Sequence, residues 1–159
     1  MVDLWEHHTD YEFEEHSTEK TLATMTDEPV NINVPLLSGG VGLEQVRKYY
    51  SEHFIPNNPP DTHVALLSRT VGEKRLVDEM ILSFTHTTEM DWMLPGVPPT
   101  GKRVQVPTVG VVEFWDGKIA SEHIYWDQAS VLVQVGLLDG EALPVVGAQS
   151  AHIERAKGG

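Results

Sequence analysis

The stretch from Arg103 to Leu138, RVQVPTVGVVEFWDGKIASEHIYWDQASVLVQVGLL, contains the change of period that decides the fold. RVQVPTVGVVEFW and KIASEHIYW are runs of β-branched and aromatic residues, the composition of strands. Between them stands a turn too short for anything but a hairpin, so the two strands are expected to be antiparallel. Asp127 then precedes ASVLVQVGLL, and an aspartate before such a run with Asp139-Gly140 after it reads as a short terminal helix.

Upstream, HVALLSRTV and RLVDEMILSFTHT repeat the strand signal and are joined by GEK, again short enough for a hairpin. A loop stiffened by prolines, EMDWMLPGVPPTGK, separates the second run from the third. Further back, LEQVRKYYSEHF places Leu43, Val46, Tyr50 and Phe54 at steps of three and four, the stripe of an amphipathic helix that IPNNPPDT stops. VNINV reads as a short strand and LLSGGVG as a turn-rich link. The segment from Asp3 to Met25 has no glycine or proline and reads as one helix, ended by Pro29. The expected fold is α+β in two layers: a curved, antiparallel-rich sheet wrapped around N-terminal helices with a pocket between them. Residues 1–140 are expected to form this cavity domain, and residues 141–159 a C-terminal tail.

Composition narrows the function classes. With 159 residues and 40% apolar content, the chain fits one domain with an ordinary core. No window approaches the roughly 18 apolar residues of a membrane span. The acidic start MVDLWEHHTDYEFEEH is the opposite of a signal peptide, so a cytoplasmic location is expected. There is no cysteine, which removes disulfides, thiolate metal sites and a cysteine nucleophile. A net charge of −13 repels nucleic acid and anionic membranes, so neither is expected as a partner. His7 and His8 are neighbours on a helix and cannot converge on one ion, and without a His-x-x-x-His pair no metal site is expected. Glu12, Glu14 and Glu15 read as a solvated acidic face.

Strand alternation sorts the remaining candidates. Ser121, His123, Tyr125 and Asp127 fall on one side of their strand, with Glu122, Ile124 and Trp126 on the other. Asp78, Met80, Leu82, Phe84 and His86 form a second set. Ligand pockets are mostly apolar with a few convergent polar groups, which points to the face bearing His123, Tyr125, Asp127 and His86. Asp127 reads as a helix cap, as an acid/base group, or as both. His86 and His123 read as site groups or as core histidines bonded to carbonyls. Asn33 can orient a carbonyl or sit at a strand edge, and Trp92 can cover the pocket or pack its loop. Asp78 or Glu79 is expected to pair with Arg69 or Arg75.

PPTGKRVQVP, followed by a strand and DGKIASEHIYWDQASVLVQVGLL, resembles the C-terminal half of the SnoaL-like polyketide cyclases, of the nuclear transport factor 2-like superfamily of α+β cones. The resemblance implies a small cavity enzyme without metal or organic cofactor. It implies that Asp127 is the general acid/base for an aldol-type or lactone/pyrone-type ring closure of a polyketide-like substrate in secondary metabolism. His86 matches the family's strand-end histidine. His123 stands where many members have a pocket tryptophan, which adds a second titratable group. Tyr125, Met80, Phe84, Trp92 and Asn33 would line the substrate. TTEMDWML replaces the family's glycine-led turn with bulkier residues that lid or narrow the pocket. The superfamily also contains ketosteroid isomerases, epoxide hydrolases and binding domains without turnover, so isomerase, hydrolase and non-catalytic ligand-binding or dimerisation readings stand beside the cyclase. A homodimer is expected, because an exposed sheet face needs cover.

Overall fold

The structure, a computed structural model, describes residues 1–153. Six strands form one sheet: β1 (Met25–Asn33), β2 (Ser38–Val41), β3 (His63–Val71), β4 (Arg75–Thr85), β5 (Arg103–Trp115) and β6 (Lys118–Trp126). Their order across the sheet is β2-β1-β6-β5-β4-β3. Only β1 and β6 run parallel, and every other pair is antiparallel. Both expected hairpins are present. Asp116 and Gly117 join β5 to β6 with φ of 49° and 73°, the two positive values that a tight hairpin turn demands.

Four α-helices stand among the described residues: α1 (Val2–Phe13), α2 (Thr18–Ala23), α3 (Leu43–Lys48) and α4 (Gln128–Val135). The single helix expected from Asp3 to Met25 is in fact two. His16 adopts a left-handed conformation (φ 51°), and the Ser17 hydroxyl restarts the chain by accepting from the Lys20 N–H at the head of α2. The LLSGGVG link also contains a strand. A Cβ on Gly39 would lie 1.9 Å from the Asn31 carbonyl oxygen, so β2 reaches β1 only because glycine stands there. Pro29 sits inside β1, where the β1–β6 pairing is interrupted between Met25 and Val30, a place that tolerates a missing donor.

Beyond α3 the chain widens into a π-helical turn, Tyr49–Phe54. This turn buries two consecutive tyrosines whose rings lie 5.5 Å apart, which a regular helix would direct to different sides. The core lies between the helices and the inner sheet face. Val104, Val106, Val112 and Phe114 of β5 alternate inward and meet Leu76 and Phe84 of β4, with Trp5, Leu22, Val46 and Tyr50 opposite. Asp127 caps α4, its Oδ1 accepting from the Ser130 N–H at 3.1 Å. After α4 the chain turns back, and Ser130 Oγ contacts the Gly147 carbonyl and Ser150 Oγ, both at 2.8 Å. The first part of the expected tail is therefore docked on α4, while residues 154–159 lie outside the described residues.

Candidate active site

A cavity of about 280 Å³ opens between α1, the π-helical turn, the loop after β4 and the inner sheet face. Its walls are rich in aromatic rings: Trp5, Phe13, Tyr49, Phe54, Trp92 and Trp126. Phe54 joins several of them, with centroids 5.7 Å from Phe13, 5.5 Å from Tyr49 and 5.0 Å from Trp92. These edge-to-face and stacked contacts hold the wall without help from the cavity's contents.

In this apolar wall a polar cluster is buried, built around His8. The Thr24 hydroxyl donates to the Thr21 carbonyl at 2.6 Å, so towards His8 it accepts, and His8 Nδ1 (2.6 Å away) carries a proton. The other ring nitrogen, Nε2, faces Glu122 Oε1 at 3.0 Å, Glu12 Oε1 at 3.2 Å and the Tyr50 hydroxyl at 3.2 Å. With both glutamates ionised that nitrogen must also donate, which makes His8 an imidazolium. Burial alone would push its pKa down, but the charges of Glu122 and Glu12 outweigh it and raise the value to about 10.

The two glutamates differ. Glu122 uses both oxygens: Oε1 accepts from His8 and from the Tyr50 hydroxyl (3.2 Å), and Oε2 from Asn31 Nδ2 (3.3 Å). Glu12 meets His8 through Oε1, and its side chain lines the cavity. Burial raises the Glu12 pKa, against the pull of His8. Glu122 is thus held by three donors, and Glu12 has His8 as its ion-pair partner; both carboxyls line the cavity. The same three residues have the donor types of a divalent-cation site, with ligand atoms within 4.8 Å of one another. The hydrogen bonds just described are those of the proton-held form, since His8 Nε2 cannot hold a proton and a metal together.

A second polar anchor fastens α1 to the sheet. Asp78 accepts from Arg69 Nε (2.7 Å) and Nη2 (2.8 Å) and from Trp5 Nε1 (2.8 Å), while Arg69 Nη1 reaches Glu6 at 2.6 Å. Hydrogen bonding to Asp78 raises the Arg69 pKa, so the guanidinium stays charged.

Of the residues singled out in the sequence, Asn33, Met80 and Trp92 stand in the cavity wall. Phe84 is fully buried in the core below it. His86 lies at the end of β4 outside the cavity. Its Nδ1 accepts from the Thr100 N–H (3.3 Å), burial lowers its pKa, and its Nε2 is buried without a partner. His123 and Tyr125 are on the outer face of the sheet, and Tyr125 is 45% exposed. The expected alternation from Ser121 to Trp126 holds, but the face read as the pocket face is the outer one, and a bulge sets this. Glu113 pairs with Ser121 and Phe114 with Ile119, so Ala120 is an extra residue in β6. Counting from the hairpin without it places His123 and Tyr125 inside; with it, Glu122, Ile124 and Trp126 turn inward. Asp127 stands beyond the wall as the cap of α4, so the residues expected to form one catalytic group are not brought together.

Glu12 also departs from the expected solvated face: it is 4% exposed because His8, one turn earlier, draws it inward. His8, Glu12, Tyr50, Asn31 and Glu122 therefore make up a cluster that sequence reasoning missed. A signal was present in the His8–Glu12 spacing of four on a helix whose Trp5 faces the core, and in the place of Glu122 on the Ile124–Trp126 side.

These features define a class, the small α+β cones of the nuclear transport factor 2-like fold, whose sheet and helices enclose a ligand-sized cavity. The family profile of the SnoaL-like domain matches residues 5–122, and the chain belongs to that family. Among solved structures it is similar to TsrD from Streptomyces laurentii, at 19% identity and TM-score 0.65 over 86% of this chain and 95% of that one. It is similar to a protein from Jannaschia sp. CCS1 assigned on likeness as a SnoaL-like polyketide cyclase (22% identity, TM-score 0.65, 87% and 94% covered). A third likeness is to a protein from Kribbella flavida DSM 17836 assigned on likeness as a ketosteroid isomerase (13%, TM-score 0.55, 80% and 77%). No curated protein matches the chain. At these identities the structural likenesses establish the fold. Among the described residues no helix is long and apolar enough to cross a membrane.

Proposed function

We propose that the protein is an acid/base enzyme of cyclase type, working without an organic cofactor on a polycarbonyl, polyketide-like small molecule in cytoplasmic secondary metabolism. The observation that carries this reading is the buried Glu12–His8–Glu122 cluster at the wall of an aromatic cavity. Ring closure by an aldol-type step needs a base to remove a C–H proton between carbonyls, a donor for the enolate oxygen and a cavity that brings the two ends together. Glu12 takes the proton, its pKa lifted towards the working range by burial. His8 and Glu122 do not exchange protons with the substrate. They position Glu12 and hold the local charge, with Thr24 fixing the imidazolium from behind. The indole N–H groups of Trp92 and Trp126, buried without protein partners on wall residues, are suited to carbonyl oxygens.

A hydrolase reading would look to the Arg69–Asp78 pair, which also lines the cavity. The Asp78 oxygens already accept from Arg69 and Trp5, so activation of water there would require breaking the anchor of α1. The test is deuterium exchange of the central C–H of a 1,3-diketone, followed by NMR in heavy water. Wild type should accelerate exchange and Glu12→Gln should lose at least about 100-fold of it. A folded Glu12→Gln protein with undiminished exchange would end this assignment.

The outer sheet face supports a homodimer. Val77, Val109 and Val111 are half-buried there, and Tyr125 is exposed, a surface that association would cover. A monomeric mass at micromolar concentration would rule the dimer out.

A further inference from the structure

The charges and rings of the cavity also determine which kind of ligand suits it. Its walls include five carboxylates: Asp10, Glu12, Glu14, Asp78 and Glu122. The guanidinium of Arg69 is the strong cation among the lining residues, and it is already engaged by Asp78 and Glu6. His8 stands behind the wall with its charge divided between two glutamates. Asp10, in the last turn of α1, and Glu14, its C-cap, are exposed and in no ion pair among the described residues. Phe13 lies between them in sequence and faces the same cavity, followed inward by Phe54 and Trp92.

Carboxylates repel an anionic ligand, and aromatic faces attract a cation. A second observation points the same way. Asn31 Oδ1 and Asn33 Oδ1 are acceptors on residues at least 97% buried, lining this cavity, and neither has a protein donor. A buried acceptor without a donor is costly, and an ammonium N–H would satisfy one. We propose that the cavity takes an apolar organic cation, so that the substrate is a carbonyl compound carrying a protonated amine rather than a carboxylate, phosphate or other anion. The amine end lies towards Asn33 and the Tyr49 and Phe54 rings, in the field of Asp10 and Glu14, and the carbonyl end towards Glu12. This inference names the substrate class for the acid/base reading above, and its test needs no turnover.

The test uses three probes of similar shape and different charge: benzylammonium, benzyl alcohol and benzoate. Their affinities are read at pH 7 from the fluorescence of the wall tryptophans and by calorimetry. Benzylammonium should bind at least about tenfold more tightly than benzyl alcohol, and benzoate more weakly than either. Replacing both mouth acids, Asp10→Asn with Glu14→Gln, should narrow the amine preference at least about threefold and leave benzyl alcohol unchanged, since both side chains are on the surface. Equal affinity for amine and alcohol in the wild type, or tighter benzoate, would overturn the proposal. Diketone exchange without amine preference removes this inference alone, and amine preference without exchange removes the acid/base reading alone.

Discussion

Across β6, Glu122, Ile124 and Trp126 face the cavity, while Ser121, His123 and Tyr125 face outward. Each set carries an ionisable group and an aromatic ring, so their inventories hardly differ. Their surroundings do. Glu122 is 2% exposed and bonded to an imidazolium, a tyrosine and an asparagine. Tyr125 is nearly half exposed. What makes a residue of this strand chemically distinctive is thus the loss of water around it, together with partners supplied by three distant segments. α1 gives His8 and Glu12, β1 gives Asn31, and the π-helical turn gives Tyr50. The outer face receives nothing comparable among the described residues.

This contrast is tested most strongly by removing the centre of the inner cluster. His8→Ala leaves two carboxyls buried around an empty place, a loss of about 3–5 kcal/mol in folding stability. His123→Ala on the outer face should stay within about 0.5 kcal/mol. Denaturant midpoints at pH 7 measure both, and similar losses for the two variants would erase the distinction. The next effect is on turnover. Glu12→Gln keeps the shape of the site and removes the exchangeable carboxyl, so exchange of the diketone probe should fall at least about 100-fold, whereas His123→Ala and His86→Ala should keep it within about twofold.

The contrast has a pH signature of determinate sign. The folded-state pKa of His8 is raised from 6.5 to about 10, so its contribution to stability is complete below pH 6.5 and is lost as pH rises towards 10. Glu12, also raised, adds a fall of the same sign that begins above its ordinary value near 4.5. Stability should therefore decline from mildly acidic to alkaline pH, by a few kcal/mol on the order set by such shifts. His8→Gln should flatten the decline above pH 6.5, and His123→Gln should not. A wild-type melting temperature that rises between pH 6.5 and 9 would contradict the imidazolium.

The long strands and the terminal helix were legible because each rests on local signals: alternation in β4 and β5, the Asp116-Gly117 turn, and Asp127 before an apolar run. β2 was not, since two glycines look like a turn until the approach of Asn31 explains them. Asn33, Met80 and Trp92 could be placed near a cavity from strand period and loop character. The Glu12 cluster could not, because its members are separated by up to 114 residues and only the tertiary fold brings them together. Alternation sorts β6 into its two faces, but residue character does not say which is inner: His123 and Tyr125 look the more pocket-like, while the bulge at Ala120 turns Glu122, Ile124 and Trp126 inward. A bulge leaves no reliable mark in composition, because the extra residue needs only to fit an unpaired position between two ladders.

The smallest effect concerns Asp127, which the family resemblance makes an acid/base group and the geometry makes a cap. The two roles separate in a pair of variants. If the side chain serves α4 alone, Asp127→Ala loses the bond to the Ser130 N–H and about 1 kcal/mol, while Asp127→Asn retains an acceptor and loses only a few tenths. Neither should alter diketone exchange more than about twofold at a temperature where both are folded, because the carboxyl stands outside the cavity wall. A fall of 100-fold in Asp127→Asn with an unchanged melting temperature would return the chemistry to Asp127 and require the cavity mouth to open beside α4. The cap reading predicts the reverse ranking, with stability changing first and exchange following only through unfolding.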